Sequence, residues 1–113
     1  METRTTSPAL EVEVRHGADG AVVIQIVGAL VVGNAARARR ALDAVVDRSP
    51  GSLVVDLDAV SSIDVAGLAA VTAPALRGRR ASIDTFVVAP ADPVARRVVD
   101  RVGVVSILNR TRP

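Results

Sequence analysis

Few side chains in this sequence could do chemistry, and most of them gather around one stretch, SSIDVAGLAAV (61–71). Ser61 and Ser62 offer hydroxyls; Asp56, Asp58 and Asp64 offer carboxylates. A serine becomes a nucleophile when a base takes its proton. The single histidine, His16, lies in the turn-forming run HGADG (16–20) with no partner beside it in sequence. It reads as a solvent-exposed turn residue rather than a general base. The two serines therefore read as capping or turn hydrogen-bonders. Oxygen ligands suit a hard cation such as Mg²⁺, but the three aspartates match no calcium-loop spacing. Asp64 has a simpler use, because it immediately precedes an apolar helical run and can cap it. Gly28 and Gly33 form no phosphate loop, since the Gly-Lys-Ser/Thr ending is missing. No catalytic residue, metal site or cofactor is expected, and nothing in the sequence argues for an enzyme.

Composition narrows the setting. A chain of 113 residues suggests one domain, long enough to bury a core without staples. Half of it is hydrophobic, yet Phe86 is the only aromatic. The core must be built from Val, Ile, Leu and Ala. Without cysteine there is no disulfide, thiolate metal site or cysteine nucleophile. No apolar run approaches the roughly 18 residues that span a bilayer, and METRTTSPA (1–9) lacks the apolar segment of a signal peptide. The expectation is a soluble cytoplasmic protein that does not engage a membrane. All 14 basic residues are arginine, against 12 acids, for a net charge of +2. The clusters RARR (37–40), RGRR (77–80) and Arg96-Arg97 read as solvated helix faces or favourable charge near helix C-termini. Nucleic-acid binding is not expected, because aromatic stacking platforms are absent.

These residues must be positioned by a small set of elements. Residues 1–9 read as a loose polar tail. In 10–15, apolar Leu10, Val12 and Val14 alternate with Glu11, Glu13 and Arg15, the pattern of a half-buried strand at an edge. AVVIQIV (21–27) is apolar on nearly both faces, as in a strand covered on both sides. GALVVG (28–33) connects it to a helix over 35–48, with Asn34 as N-cap and Ala38, Ala41, Leu42, Val45 and Val46 at helical spacing. SPG (49–51) ends that helix. A buried strand over 53–57 leads through a loop (58–64) to a second helix over 66–77, which Pro74 should kink or shorten. A strand over 83–89 follows. Asp92 caps a third helix that has Pro93 at its first position and Gly103 just past its end. VVSIL (104–108) reads as a strand or a helical turn. The order ββαβαβα predicts an α/β fold, with a mixed, mainly parallel sheet of four or five strands and helices packed on it. Residues 10–108 form the domain and 109–113 a C-terminal tail.

At VVDLDAVSSIDVAGLAAV (54–71) the sequence resembles the signature of STAS domains, the anti-sigma factor antagonist family. IVGAL (26–30) is similar to that family's Gly-containing exit from its second strand, and the element order matches over roughly 10–108. The resemblance implies the STAS fold and a non-catalytic binding role. Its typical members bind an anti-sigma factor that is also a serine kinase and so release a sigma factor for transcription. The kinase phosphorylates a Ser or Thr at the start of the second helix and breaks the complex. A phosphate adds about −1.5 to −2 charge to a packed interface.

Two departures from the pattern stand out. Ala66 occupies the position of the phosphorylated hydroxyl, with Val65 before it, and Val31 stands where an Asp is common. Asp64, Gly67 and Leu68 keep the pattern. The leading expectation is a module that binds a kinase-like anti-sigma factor through Val31, Ser62, Asp64, Val65, Ala66, Gly67 and Leu68, and that cannot be phosphorylated at Ala66. Ser61, Ser62 and Thr72 are the hydroxyls left nearby. Val65 either joins that surface or packs the helix start against the sheet. The resemblance leaves two other roles: a sensor of a small molecule, lipid or nucleotide, and an accessory subunit of a transporter ATPase. A monomer or weak homodimer is expected, with the 10–15 strand as the edge available for pairing.

Overall fold

A computed structural model describes residues 2–6, 10–103 and 109. Strand β1 (Glu2–Thr6) pairs antiparallel with β2 (Leu10–His16), and β2 pairs antiparallel with β3 (Ala21–Leu30). Beyond β3 the pairing is parallel. The first half of β3 adjoins β4 (Ser52–Asp56), which adjoins β6 (Asp84–Val88). The last residues of β3 pair instead with the short β5 (Val60–Ile63). The path across the sheet is β1-β2-β3-β4-β6, with β5 beside β3. The mixed, mainly parallel α/β architecture expected from the sequence is present.

Two strands lie where the sequence pattern indicates none. Glu2–Thr6 is a strand, not a loose tail: three of its five residues are threonine, which suits a strand, and an edge strand tolerates polar content. With β1 in place, β2 is no longer an edge. Its Glu13 is buried and forms an ion pair with Arg15, two positions on and on the same face. β5 falls in the predicted loop because VSSI shows no alternation; Val60 and Ile63 are buried and the serines between them are exposed. What creates β5 is the length of β3. Gly28, at φ 99°, sits where the register shifts, and its N–H reaches the Ala59 carbonyl at 3.1 Å. There the ten-residue strand exchanges one neighbour for another. VVSIL (104–108) lies outside the described residues.

The helices are α1 (Ala35–Asp47), α2 (Val65–Arg80) and α3 (Pro93–Val102). The crossovers β3-α1-β4 and β4-α2-β6 step the same way across the sheet, so right-handed connections put α1 and α2 on one face, side by side. Arg77 of α2 bridges Asp43 and Asp47 of α1, at 3.0 and 2.9 Å, which aligns the C-terminal halves of the two helices. Its guanidinium pKa is raised, mainly by the hydrogen bond it donates to Asp43 and then by the one it donates to Asp47. One arginine of the 77–80 cluster is thus an inter-helix tie as well as a half-exposed charge.

Under these helices lies an aliphatic core of Ile24, Ile26, Leu30, Leu42, Leu53, Val55 and Val71. The opposite face of β3 and its neighbours is half-buried, at Val23, Val27, Val54 and Phe86. The expected cover on both sides of β3 is therefore only partial.

Pro74 neither ends nor shortens α2, which runs to Arg80. Proline removes one helical hydrogen bond, but Val71 and Ala75 on either side of it are fully buried and hold the helix to the sheet. For α3 the sequence signals hold. Asp92 accepts from the N–H groups of Val94 and Ala95, and Gly103 closes the helix at φ 78°.

Candidate functional site

The turn at Asp64 is built from three crossing backbones. β5 delivers Ile63 into the core, and the chain then turns into α2. Asp64 caps that helix: its Oδ1 accepts from the Gly67 N–H at 2.8 Å. Its Oδ2 accepts from the Val32 N–H at 3.0 Å, in the loop between β3 and α1. One carboxylate therefore joins the start of α2 to a loop 32 positions earlier. These two bonds, Gly67's first, hold the Asp64 pKa below its ordinary value.

Asn34 fixes the same loop from within. Its Oδ1 accepts from the Val31 N–H at 3.0 Å and its Nδ2 donates to the Ala29 carbonyl at 2.8 Å. It stands at the N-cap position of α1 but makes no side-chain cap bond. The expected cap is replaced by a loop clamp, because both ends of its amide are already used.

Beneath the turn, α2 almost touches β3. A Cβ placed on Gly67 would lie 1.9 Å from the Leu30 carbonyl oxygen and 2.6 Å from its carbon. Only a residue without a side chain permits that approach. Leu68 is 2% exposed and belongs to the core. Gly67 and Leu68 thus shape the turn from below and do not form its surface.

The surface itself is apolar. Val65, which follows Asp64 in the chain, is 72% exposed, and Val32, whose N–H the Asp64 carboxylate binds, is 75% exposed. Val65 does not pack the helix start against the sheet. Ala66 and Val31 are half-buried, and Ser61 and Ser62 are exposed nearby on β5. Thr72 is buried, so it is no accessible phosphoacceptor. Of the predicted surface residues, Ser62 and Val65 are exposed, Val31, Asp64 and Ala66 partly so. Val32 was not among them. Its signal was the second valine of a VV pair, next to Gly33 in a tight connection, where only one of the two can face inward.

Asp56 is turned to its own loop, accepting from the Asp58 N–H at 2.9 Å. Among the described residues no three His, Asp or Glu side chains converge as metal ligands. A cavity of about 180 Å³ lined by His16, Val22, Val45 and Arg48 lies at the far end of β3 from the turn. It falls below the roughly 300 Å³ from which ligand sites usually start.

The STAS domain family model matches residues 9–113. This chain belongs to the STAS domain family. The fold agrees with an anti-sigma factor antagonist from Mycobacterium paratuberculosis, at a TM-score of 0.72 and 25% identity over 91% of this chain and 86% of that one. SpoIIAA, an anti-sigma factor antagonist solved in its unphosphorylated form, superposes at 0.69 with 17% identity, over 84% of this chain and 83% of that one. A sulfate transporter family protein from Wolinella succinogenes superposes at 0.66 with 19% identity, over 87% of this chain and 78% of that one. No curated protein matches the chain. Among the described residues of this STAS domain, no helix is long and apolar enough to cross a membrane.

The capping carboxylate makes a pH prediction. The folded-state pKa of Asp64 is lowered, so its stabilisation is fully present above the unfolded value near 3.8 and fades as pH falls through the lower folded value. Asp64→Asn should therefore be less stable than the wild type at neutral pH. Urea midpoints of the two proteins, measured from pH 7 downward, should converge only at strongly acidic pH.

Proposed function

We propose that this STAS domain is an anti-sigma factor antagonist of the non-switching kind. It acts in the cytoplasm as a non-catalytic docking module, captures an anti-sigma factor of the serine-kinase type and so regulates sigma-factor-dependent transcription. The observation that carries this reading is the pair of exposed valines, Val32 and Val65, at the turn where the Asp64 carboxylate binds the N–H groups of Val32 and Gly67. Two large apolar side chains left in water at a hydrogen-bonded, pre-formed turn suit a protein interface, where each contact made costs little further ordering. The likeness to the Mycobacterium anti-sigma factor antagonist supports an anti-sigma factor as the partner. Ala66 places a methyl where the family's switch carries a hydroxyl, so this turn docks without being released by phosphate.

The test pairs binding with mass. The wild type, incubated with a kinase-type anti-sigma partner and ATP, should bind it and gain no phosphate at the turn. Ala66→Ser should gain one phosphate, about 80 Da, and lose affinity as the charge enters the interface. Phosphate on Ser61 or Ser62 of the wild type would overturn the non-switching reading.

A further inference from the structure

The loop that carries Val32 is gripped twice. From within, Asn34 Oδ1 accepts from the Val31 N–H at 3.0 Å and Asn34 Nδ2 donates to the Ala29 carbonyl at 2.8 Å. One carboxamide can do both because it carries an acceptor and a donor on a short side chain. One partner is an N–H and the other a carbonyl, which fixes the orientation of the amide. From outside, Asp64 takes the next N–H, that of Val32, at 3.0 Å. The Val31 carbonyl accepts in turn from the N–H groups of Asn34 and Ala35, at 2.9 and 2.8 Å. This grip is made at the expense of α1. Asparagine at this position ordinarily caps the helix, but the Asn34 side chain makes no cap bond, and the first turn of α1 holds no acidic residue in its stead.

We propose that Asn34 is a positioning residue for the docking surface: it holds the Val31–Val32 backbone in one conformation, so that Val32 meets the partner already ordered. This inference rests on the docking role given above to Val32 and Val65. Val32 is 75% exposed, so packing of its side chain does not hold its backbone. Hydrogen bonds must do so instead. Asp64 fixes the single N–H of Val32, and Asn34 sets the turn that presents that N–H to the carboxylate. A loop ordered before contact has little freedom left to lose on binding. The backbone freedom of one residue corresponds to roughly a fivefold to thirtyfold change in affinity. Asn34 therefore raises affinity without touching the partner, by acting through Val32.

The test compares Asn34→Ser with the wild type. Serine caps a helix as well as asparagine does, so α1 keeps its start, but one hydroxyl cannot span Ala29 and Val31. Hydrogen exchange at the Val32 amide should quicken by about tenfold, the loss of roughly one hydrogen bond, although its acceptor Asp64 is unaltered. Affinity for the kinase-type anti-sigma partner, by calorimetry on fully folded protein, should fall by about tenfold. Adding Gly33→Ala should recover part of it. Gly33 has no positive φ and a Cβ there would meet nothing within 4 Å, so alanine stiffens the loop without strain. Such a recovery would not mend a lost contact between Asn34 and the partner. The proposal is overturned if Val32 exchange is unchanged, if Asn34→Ser binds as tightly as the wild type, or if Gly33→Ala recovers nothing. Val32→Asp/Val65→Asp, measured alongside, separates the two claims. If it loses binding while Asn34→Ser does not, the role of Asn34 falls and the docking turn stands; if it binds like the wild type, both fall.

Discussion

Gly67→Ala is expected to lower the unfolding free energy by about 3 kcal/mol, a large loss for adding one methyl group. Helix propensity alone predicts the opposite sign, because alanine favours a helix over glycine by up to about 1 kcal/mol. The steric term wins because the methyl would sit 1.9 Å from the Leu30 carbonyl oxygen. That neighbour is backbone in a buried strand and cannot rotate away, so α2 must move. Any such shift also pulls on the Asp64 bonds to Gly67 and Val32 and on the contact of the Asp64 N–H with the Leu30 carbonyl at 3.4 Å. Urea unfolding measures the loss. A midpoint equal to or above the wild-type value would mean that α2 does not approach β3 as closely as described.

Leu68→Glu should be more damaging still, and it separates the core from the surface. Leu68 looks exposed if it is read as part of a docking motif, and a charge there would then spare the fold and abolish binding. At 2% exposure it is instead a core residue. Removing a buried leucine side chain costs about 2–5 kcal/mol, and the carboxylate adds its own burial penalty. The expected result is a chain unfolded or molten at 25 °C, recognised by collapsed NMR dispersion. A well-dispersed spectrum of a folded Leu68→Glu protein would contradict this placement.

The contrast between Leu68 and Val32 marks what the sequence could reveal. Local signals were legible where one segment determines its own structure. Asp92, Pro93 and Gly103 bracket α3 within a dozen positions, and each does its expected work. The strands β2, β3, β4 and β6 announced themselves by alternation or by unbroken aliphatic runs. The misses share another cause: each depends on residues far away in sequence. β5 exists because β3 outlasts β4 and changes partner at Gly28. β1 pairs along the edge of β2 that would otherwise be open, and Glu13 of β2 is buried. Asn34 gave up its cap for bonds to Val31 and Ala29. Asp64 was legible as the α2 cap, but its second bond, to Val32, was not. The position of Ala66 was readable from the motif; that its neighbours Val65 and Val32 share one exposed turn was not.

That turn carries the functional account, and its two valines can be altered without touching the core. The most direct measurement is the affinity of Val32→Asp/Val65→Asp for the kinase-type anti-sigma partner, by calorimetry, with unfolding midpoints measured alongside. Both side chains are exposed, so the fold should keep its stability to within about 0.5 kcal/mol per site. Losing two apolar anchors and placing two charges at the interface should weaken binding by at least about 100-fold. A stable double variant that binds as tightly as the wild type would contradict the account and place the docking surface elsewhere on the domain.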